Sequence, residues 1–437
     1  MEGKKVLKNA GWIIGCKIAQ SLLSLVVTML SARFLGPSGY GLINYAASIV
    51  AFVAPVMYLG LNSVIVQEIV KNPQIEGETI GSAILMSFIT SFFCIGGVVA
   101  FVSIANHGEQ DTLIVCVLYS TLLIFQALEM IVYWFQAKLL SKYSSVVSLI
   151  AYIIVSLYKI YLLATKKSIY WFAVSNALDY LIIAILSYIF YRKLGGEKLS
   201  FSWNTFWRMF KSSKYYILAN MMVTVFAQTD RIMIKLMIDD TATGYYSAAV
   251  ACAGITGFVF SAIIDSFRPM IFDNKKNDEI AYETNTIRLY SIIIYLSLLQ
   301  CIFIMLFSDL IVRILYGTAY GESVNALKIV VWYTTFSYLG SVRNVWLLAE
   351  EKQKYLFWIN LLGAVANVIL NLLLIPSMGI NGAALASLIT QFFTNVVVGY
   401  LLKPIRRSNY LMEKSLNPKI LVLLLKRRRN NERNDDR

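Results

Sequence analysis

Lys17, Ser21, Ser24, Thr28 and Ser31 recur at intervals of three or four along an otherwise apolar stretch, and Asn220, Thr224, Gln228, Arg231 and Lys235 repeat the pattern later in the chain. Such spacing puts each set on one helix face. An ungapped offset of 203 residues pairs Lys17 with Asn220, Ser21 with Thr224, Thr28 with Arg231, Gly41 with Gly244 and Ala46 with Ala249. The chemistry open to these faces is binding: hydroxyls and amides for sugars or water, cations for an anion. Arg231 presents a planar fork suited to phosphate oxygens and Lys235 a point charge. One helical turn apart, the two repel. They call for an anion, either a bound substrate or an acid from another helix. Asp230 stands beside Arg231 on the same helix and can offset it from the side.

Other ionisable residues fall inside apolar stretches, where each costs roughly 2.5–3.5 kcal/mol at mid-bilayer unless paired or hydrated. Lys159 and Asp179 sit at similar depth on consecutive stretches; they read either as an ion pair fixing two helices or as a proton or sodium relay. Asp265 and Arg268, three apart, can pair within one helix. They continue a small, polar face of Ser247, Gly254, Gly257 and Ser261, which reads as a cavity wall or as close packing. Arg33 and Glu68 are near span ends and can snorkel. Asn44 adds a polar group to the stretch after the first stripe. No carboxylate lies on the first stripe, so the cavity candidates lean positive and suit an anion such as a pyrophosphate better than a cationic drug.

The elements that carry these residues are membrane helices. The 437 residues are 58% hydrophobic and 15% charged, with mean hydropathy +0.64, which no soluble globular chain of this size matches. Twelve stretches are long enough to span a hydrocarbon core of about 30 Å, near 11–35, 42–66, 80–105, 112–136, 144–164, 169–191, 214–238, 244–269, 289–316, 326–349, 355–375 and 380–402. Backbone groups in lipid must be satisfied internally, so these are helices. Pro55 is expected to kink the second.

The net charge of +14 follows topology. Lys4, Lys5, Lys8, Lys138, Lys142, the cations of the loop 192–213, Lys275, Lys276, Lys352, Lys354 and the basic C-terminal tail share one side when the helices alternate. Glu109, Asp111, Asp239 and Asp240 fall on the other, with Lys166 and Lys167 the main cations there; Asp239-Asp240 reads as a solvated loop. By the positive-inside rule both termini are cytoplasmic, and the basic balance reports orientation and anionic lipid rather than nucleic acid. The expected organisation is an N-terminal six-helix bundle over 1–195, a cytoplasmic linker over 196–213, a C-terminal six-helix bundle over 214–403, and a disordered basic tail over 404–437. In that tail Ile420–Leu425 can rest at the membrane interface. Even span numbers give the halves parallel topology.

Enzymatic chemistry finds no support. His107 is the only histidine, so neither a histidine metal centre nor a Ser/His/Asp set can form. No phosphate-binding GxxxxGK[ST] loop is present. The five cysteines are scattered through spans and read as small buried hydrophobes. No cofactor is expected.

The run from Asn367 to Ser387, with Asn371, Pro376, Gly379, Asn381, Gly382, Ala383 and Ala384, closely resembles the last helix junction of the polysaccharide biosynthesis flippases. These belong to the multidrug/oligosaccharidyl-lipid/polysaccharide exporter superfamily. Phe34-Leu35-Gly36-Pro37 with Tyr40-Gly41, Trp134-Phe135-Gln136 with Lys142-Tyr143, and Gly244-Tyr245-Tyr246-Ser247-Ala248-Ala249 carry the resemblance through the chain. Pro376 and Gly379 would make a tight turn, and Gly-Ala-Ala would let the next helix pack closely.

The resemblance implies an all-α polytopic membrane protein of twelve transmembrane helices. Two pseudo-twofold six-helix bundles would enclose a central cavity lined by helices one, two, seven and eight. It implies a bacterial cytoplasmic (inner) membrane location, and as cargo an undecaprenyl-diphosphate-linked oligosaccharide for O-antigen (lipopolysaccharide) or capsule synthesis. Further partners would be membrane lipid and other polysaccharide-assembly membrane proteins. The expected diphosphate contacts are Lys17, Arg33, Arg231, Lys235 and Arg268. The expected polar lining is Ser21, Thr28, Asn44, Asn220, Thr224 and Gln228. Lys159, Asp179, Asp230 and Asp265 are candidates for ion coupling or ion pairing. The rival readings are a cation-coupled multidrug antiporter of the same fold and a membrane glycan polymerase or ligase; the absence of a large outer loop disfavours the second.

Overall fold

The computed structural model of the chain describes residues 2–417, with side chains from residue 15 onward. The side chains of Lys4, Lys5 and Lys8, and the segment Ile420–Leu425, lie outside the described residues.

The helices in chain order are α1 (Glu2–Met57), α2 (Ile65–Lys71), α3 (Glu76–Ala105), α4 (Gln110–Ser120), α5 (Leu122–Leu128), α6 (Val132–Ala137), α7 (Ser141–Ala164), α8 (Ile169–Lys193), α9 (Trp203–Met237), α10 (Asp240–Gly254), α11 (Gly257–Asn277), α12 (Glu279–Leu315), α13 (Ser323–Ala349), α14 (Lys354–Met378), α15 (Ile380–Phe392), α16 (Val398–Leu401) and α17 (Arg406–Ser415). Eight helical runs among the described residues are each long and apolar enough to cross a membrane, and α10 with α11, bent by 44°, makes a ninth. The twelve-span reading accounts for the remainder. α1 holds two spans, divided at Gly36, whose φ of 67° only glycine adopts freely, with Pro37 starting the second arm. α9 and α13 have the length of spans, 35 and 27 residues, but their polar residues lower their hydropathy.

Some boundaries differ from those expected. The second arm of α1 ends at Met57 instead of continuing to 66, because the left-handed residues Leu59 and Gly60 follow Pro55 and turn the chain. The loop 192–213 is mostly helix: Ser202 caps α9 by accepting the Thr205 N–H, which leaves only 194–202 between α8 and α9. This connector lies on the start of α3. Ser200 N donates to the Gly77 carbonyl at 3.3 Å, and Gly77 N and Ser202 N donate to Glu197 and to the Ser82 hydroxyl. The tail assigned to disorder from 404 begins with a helix. α17 buries Ser408, Leu411 and Met412, and Tyr290 and Ser408 hydrogen-bond at 2.8 Å. Its apolar side chains alternate with polar ones at helical spacing, which gives it a face to pack.

Packing divides the chain into two compact units, one through Gly244 and one from Tyr245. α9 thus packs with the first unit, although its sequence belongs to the second repeat. In the first unit one cluster joins Leu61, Ile65, Met130, Trp134, Phe135, Tyr191 and Phe206. Another joins Tyr45, Ile49, Val98, Val115 and Ala173. The second unit is built on Phe260, Tyr282, Tyr290, Val342, Trp346, Ile359 and Leu411. Its α14–α15 junction follows the expected turn. Gly379 has φ 58°, a Cβ on Gly382 would stand 2.2 Å from the Leu374 carbonyl oxygen, and Ala383 and Ala384 are fully buried.

Candidate functional site

In the first unit, the second arm of α1 meets α9 through polar groups. Gln228 Oε1 accepts from the Ser48 hydroxyl at 3.0 Å and from Arg231 Nη1 at 2.9 Å. The Ser48 hydroxyl shares its single proton between Gln228 and the Asn44 carbonyl, the latter at 2.8 Å, and the Asn44 amide donates to the Tyr40 carbonyl at 2.8 Å. The amide of Gln228 therefore aims the guanidinium of Arg231, which is half-buried. A guanidinium oriented in this way loses little further entropy when an anion reaches it. Asn220 and Thr224 continue the face half-buried, with Thr224 donating to the Asn220 carbonyl at 3.0 Å. Asp230, round the helix from Arg231, is buried.

The first arm of α1 presents Lys17, Ser21 and Arg33 exposed, and Thr28 half-buried. Ser24, on the same stripe, is half-buried as well.

Lys235 departs from the expected diphosphate set. Its side chain is only 4% exposed, and its ammonium lies 2.6 Å from Glu109 and 2.7 Å from Asp240. The acids that the repulsion from Arg231 called for come from neighbouring segments, so the ion-pair reading describes this residue. Asp240 is accordingly not simply solvated. Burial works against the Glu109 carboxylate, but hydrogen bonds from Lys235, Thr112 and Asn106 outweigh it and hold its pKa below the ordinary range.

Lys159 and Asp179 do not form the expected contact. The Lys159 ammonium donates to Asn176 of α8 at 3.1 Å and feels Asp179 through longer-range attraction. Asp179 Oδ1 is buried without a hydrogen-bond partner among the described residues. Asn176 lies one helical turn before Asp179 and reaches the ammonium first.

In the second unit Asp265 and Arg268 pair at 2.9 Å, both substantially exposed, as their spacing allows. Sequence reasoning gave no role to Arg343 of α13, which is 3% exposed. Its guanidinium donates to the Thr394 carbonyl at 2.7 Å and to Asn395 Oδ1 at 2.6 Å, both within the wide π-helical turn Phe393–Val397. It also missed Ser48, Glu109 and Asp240 as partners. The signal for the last two was an unpaired cation at the end of one span and acids at the ends of others on the same side.

Long apolar helices, a polar helix face with an aimed cation and a duplicated span pattern define a multi-pass membrane transporter. The chain belongs to the polysaccharide biosynthesis protein family, whose pattern it matches over residues 6–275. It is 24% identical over 411 residues to the capsular polysaccharide biosynthesis protein CapF of Staphylococcus aureus, covering 92% of this chain and 100% of that one. Among solved structures it is similar to the lipid II flippase MurJ in an inward closed conformation, with TM-score 0.72 at 14% identity, covering 94% of this chain and 93% of that one. It is also similar to an inward-facing multidrug resistance MATE family transporter of the MOP superfamily, with TM-score 0.65 at 13% identity over 90% and 96% of the two chains. At such identities these likenesses concern the fold alone.

Proposed function

We propose that the protein is a flippase that carries polyprenyl-diphosphate-linked oligosaccharide repeat units, with undecaprenol as the carrier lipid, across the bacterial cytoplasmic membrane for O-antigen or capsule synthesis. Both termini are cytoplasmic in this reading. The site is exposed alternately to the two faces of the membrane while the polyprenyl tail stays in lipid. The observation that carries the proposal is the half-buried Arg231 aimed by Gln228, itself held by Ser48. In a membrane helix this arrangement favours a multiply charged anion with oxygens spaced for a guanidinium fork. Arg231 binds the diphosphate, assisted by Lys17 and Arg33. Asn220, Thr224, Ser21 and Thr28 hydrogen-bond sugars or water. Lys235, consumed by its own ion pairs, is not part of this set.

The family membership and the capsule-synthesis name of the Staphylococcus aureus relative support this cargo over a cationic drug. So does the absence of a carboxylate from the first stripe. The test uses proteoliposomes loaded with a polyprenyl-diphosphate oligosaccharide, following access of a membrane-impermeant enzyme to the sugar. Protein-dependent exposure that falls at least about tenfold in Arg231→Ala, a loss of about 1.4 kcal/mol, is the expected result. No exposure with folded protein and a range of sugar heads, together with transport of a cationic dye, would favour the antiporter instead.

A further inference from the structure

The position of Lys235 has a consequence for movement. Within the first unit, the start of the second arm of α1 crosses the start of α10 with backbone against backbone. A Cβ on Gly41 would stand 1.8 Å from the Asp240 carbonyl oxygen and 2.7 Å from Gly244 N. A Cβ on Gly244 would stand 1.9 Å from the Pro37 carbonyl oxygen and 3.2 Å from Gly41 N. The contact is reciprocal, and its members are related by the same offset of 203 that relates the polar stripes. No side chain at either glycine interlocks the two helices, so the crossing can part without repacking a core.

Beside it, the ammonium of Lys235 closes on two acids from different segments, Glu109 in the turn between α3 and α4 and Asp240 at the start of α10. Glu109 is held in turn by Thr112 at 2.6 Å and Asn106 at 3.4 Å. Asn106 accepts from the hydroxyl of Tyr45 at 2.6 Å, and Tyr45 is fully buried on the second arm of α1. The network thus ties α9, the α3–α4 turn, α10 and α1 at one end of the unit. A hydrophobic side chain would hold a permanent contact at least as well as a desolvated lysine. What the ion pairs add is reversibility, because each charge is resolvated when the segments separate.

We propose that Lys235, Glu109 and Asp240 form a latch that keeps the Gly41–Gly244 crossing shut, and that it releases whenever the polar site opens to the side of the membrane on which Glu109 lies. The proposal rests on the transporter reading and on the charge-derived orientation, in which that side is the outer one.

Ser48, 1% exposed and bonded to Gln228, is the reporter. In a protein whose five cysteines are replaced by serine, Ser48→Cys is treated with a membrane-impermeant maleimide added outside intact cells. Lys235→Met is expected to raise the labelling rate about tenfold, and Lys235→Arg to keep it near the parent rate. Unchanged labelling in folded Lys235→Met would overturn the proposal and leave Lys235 a packing residue. If Lys235→Met does not fold, Glu109→Gln with Asp240→Asn replaces it, and unchanged labelling there overturns the proposal equally. Labelling needs no lipid-linked sugar, so a failure of the flippase reading and a failure of the latch are seen separately.

Discussion

Arg231 and Lys235 share a charge and a helix face, yet their surroundings differ. The half-buried guanidinium donates to the neutral amide of Gln228; the ammonium is buried between two carboxylates. The difference follows from position as much as chemistry, since Lys235 is in the last turn of α9, where acids from flanking turns can reach it. Arg343 is a third case, a buried cation whose two terminal nitrogens are held by a carbonyl and an amide oxygen while its Nε has no hydrogen-bond partner among the described residues. Hydrogen bonds from a charged group contribute about 1.5–3 kcal/mol each. Arg343→Leu should therefore lower stability by about 2–4 kcal/mol, read as a lower thermal unfolding midpoint in detergent. An unchanged midpoint would mean that the wide turn after α15 holds its shape without the arginine. The existence of all three cations was legible in the sequence. Their partners were not, because Lys235 and Glu109 are 126 residues apart and Ser48 and Gln228 are 180 apart.

At the scale of elements, glycine placement decides how closely helices approach. Gly41→Ala puts a methyl group against backbone that has no side-chain freedom to yield, so the crossing must splay, at a cost of about 1–3 kcal/mol. Gly97 of α3, where a Cβ would meet nothing within 4 Å, is the control. Gly97→Ala should leave the unfolding midpoint unchanged or raise it, whereas Gly41→Ala should lower it and reduce transport. Equal midpoints for the two variants would refute the close crossing. The span pattern read from hydropathy located nearly every long helix. It misjudged the connector before α9 and the segment of α17 because both contain charged residues. Charge lowers hydropathy without disfavouring a helix that has an apolar stripe to bury.

For the whole molecule, net movement requires a driving force. We hypothesise that Asp179, with a carboxylate oxygen lacking a hydrogen-bond partner among the described residues and with Lys159 nearby, takes up a cation or proton during the cycle. The expected outcome is that an imposed proton or sodium gradient accelerates sugar exposure in proteoliposomes, and that folded Asp179→Asn loses this acceleration. Equal rates with and without either gradient would exclude coupling to them.

The sequence by itself determined the membrane class, the helical spans, the duplication and the inventory of polar faces. Hydropathy and helical period are properties of neighbouring residues and survive in one dimension. Which partners a cation on a polar stripe meets was decided only in three dimensions. That choice depends on which other segments cross the helix at that depth, and it was made by the packing of α1, α9 and α10 around glycines that permit backbone contact.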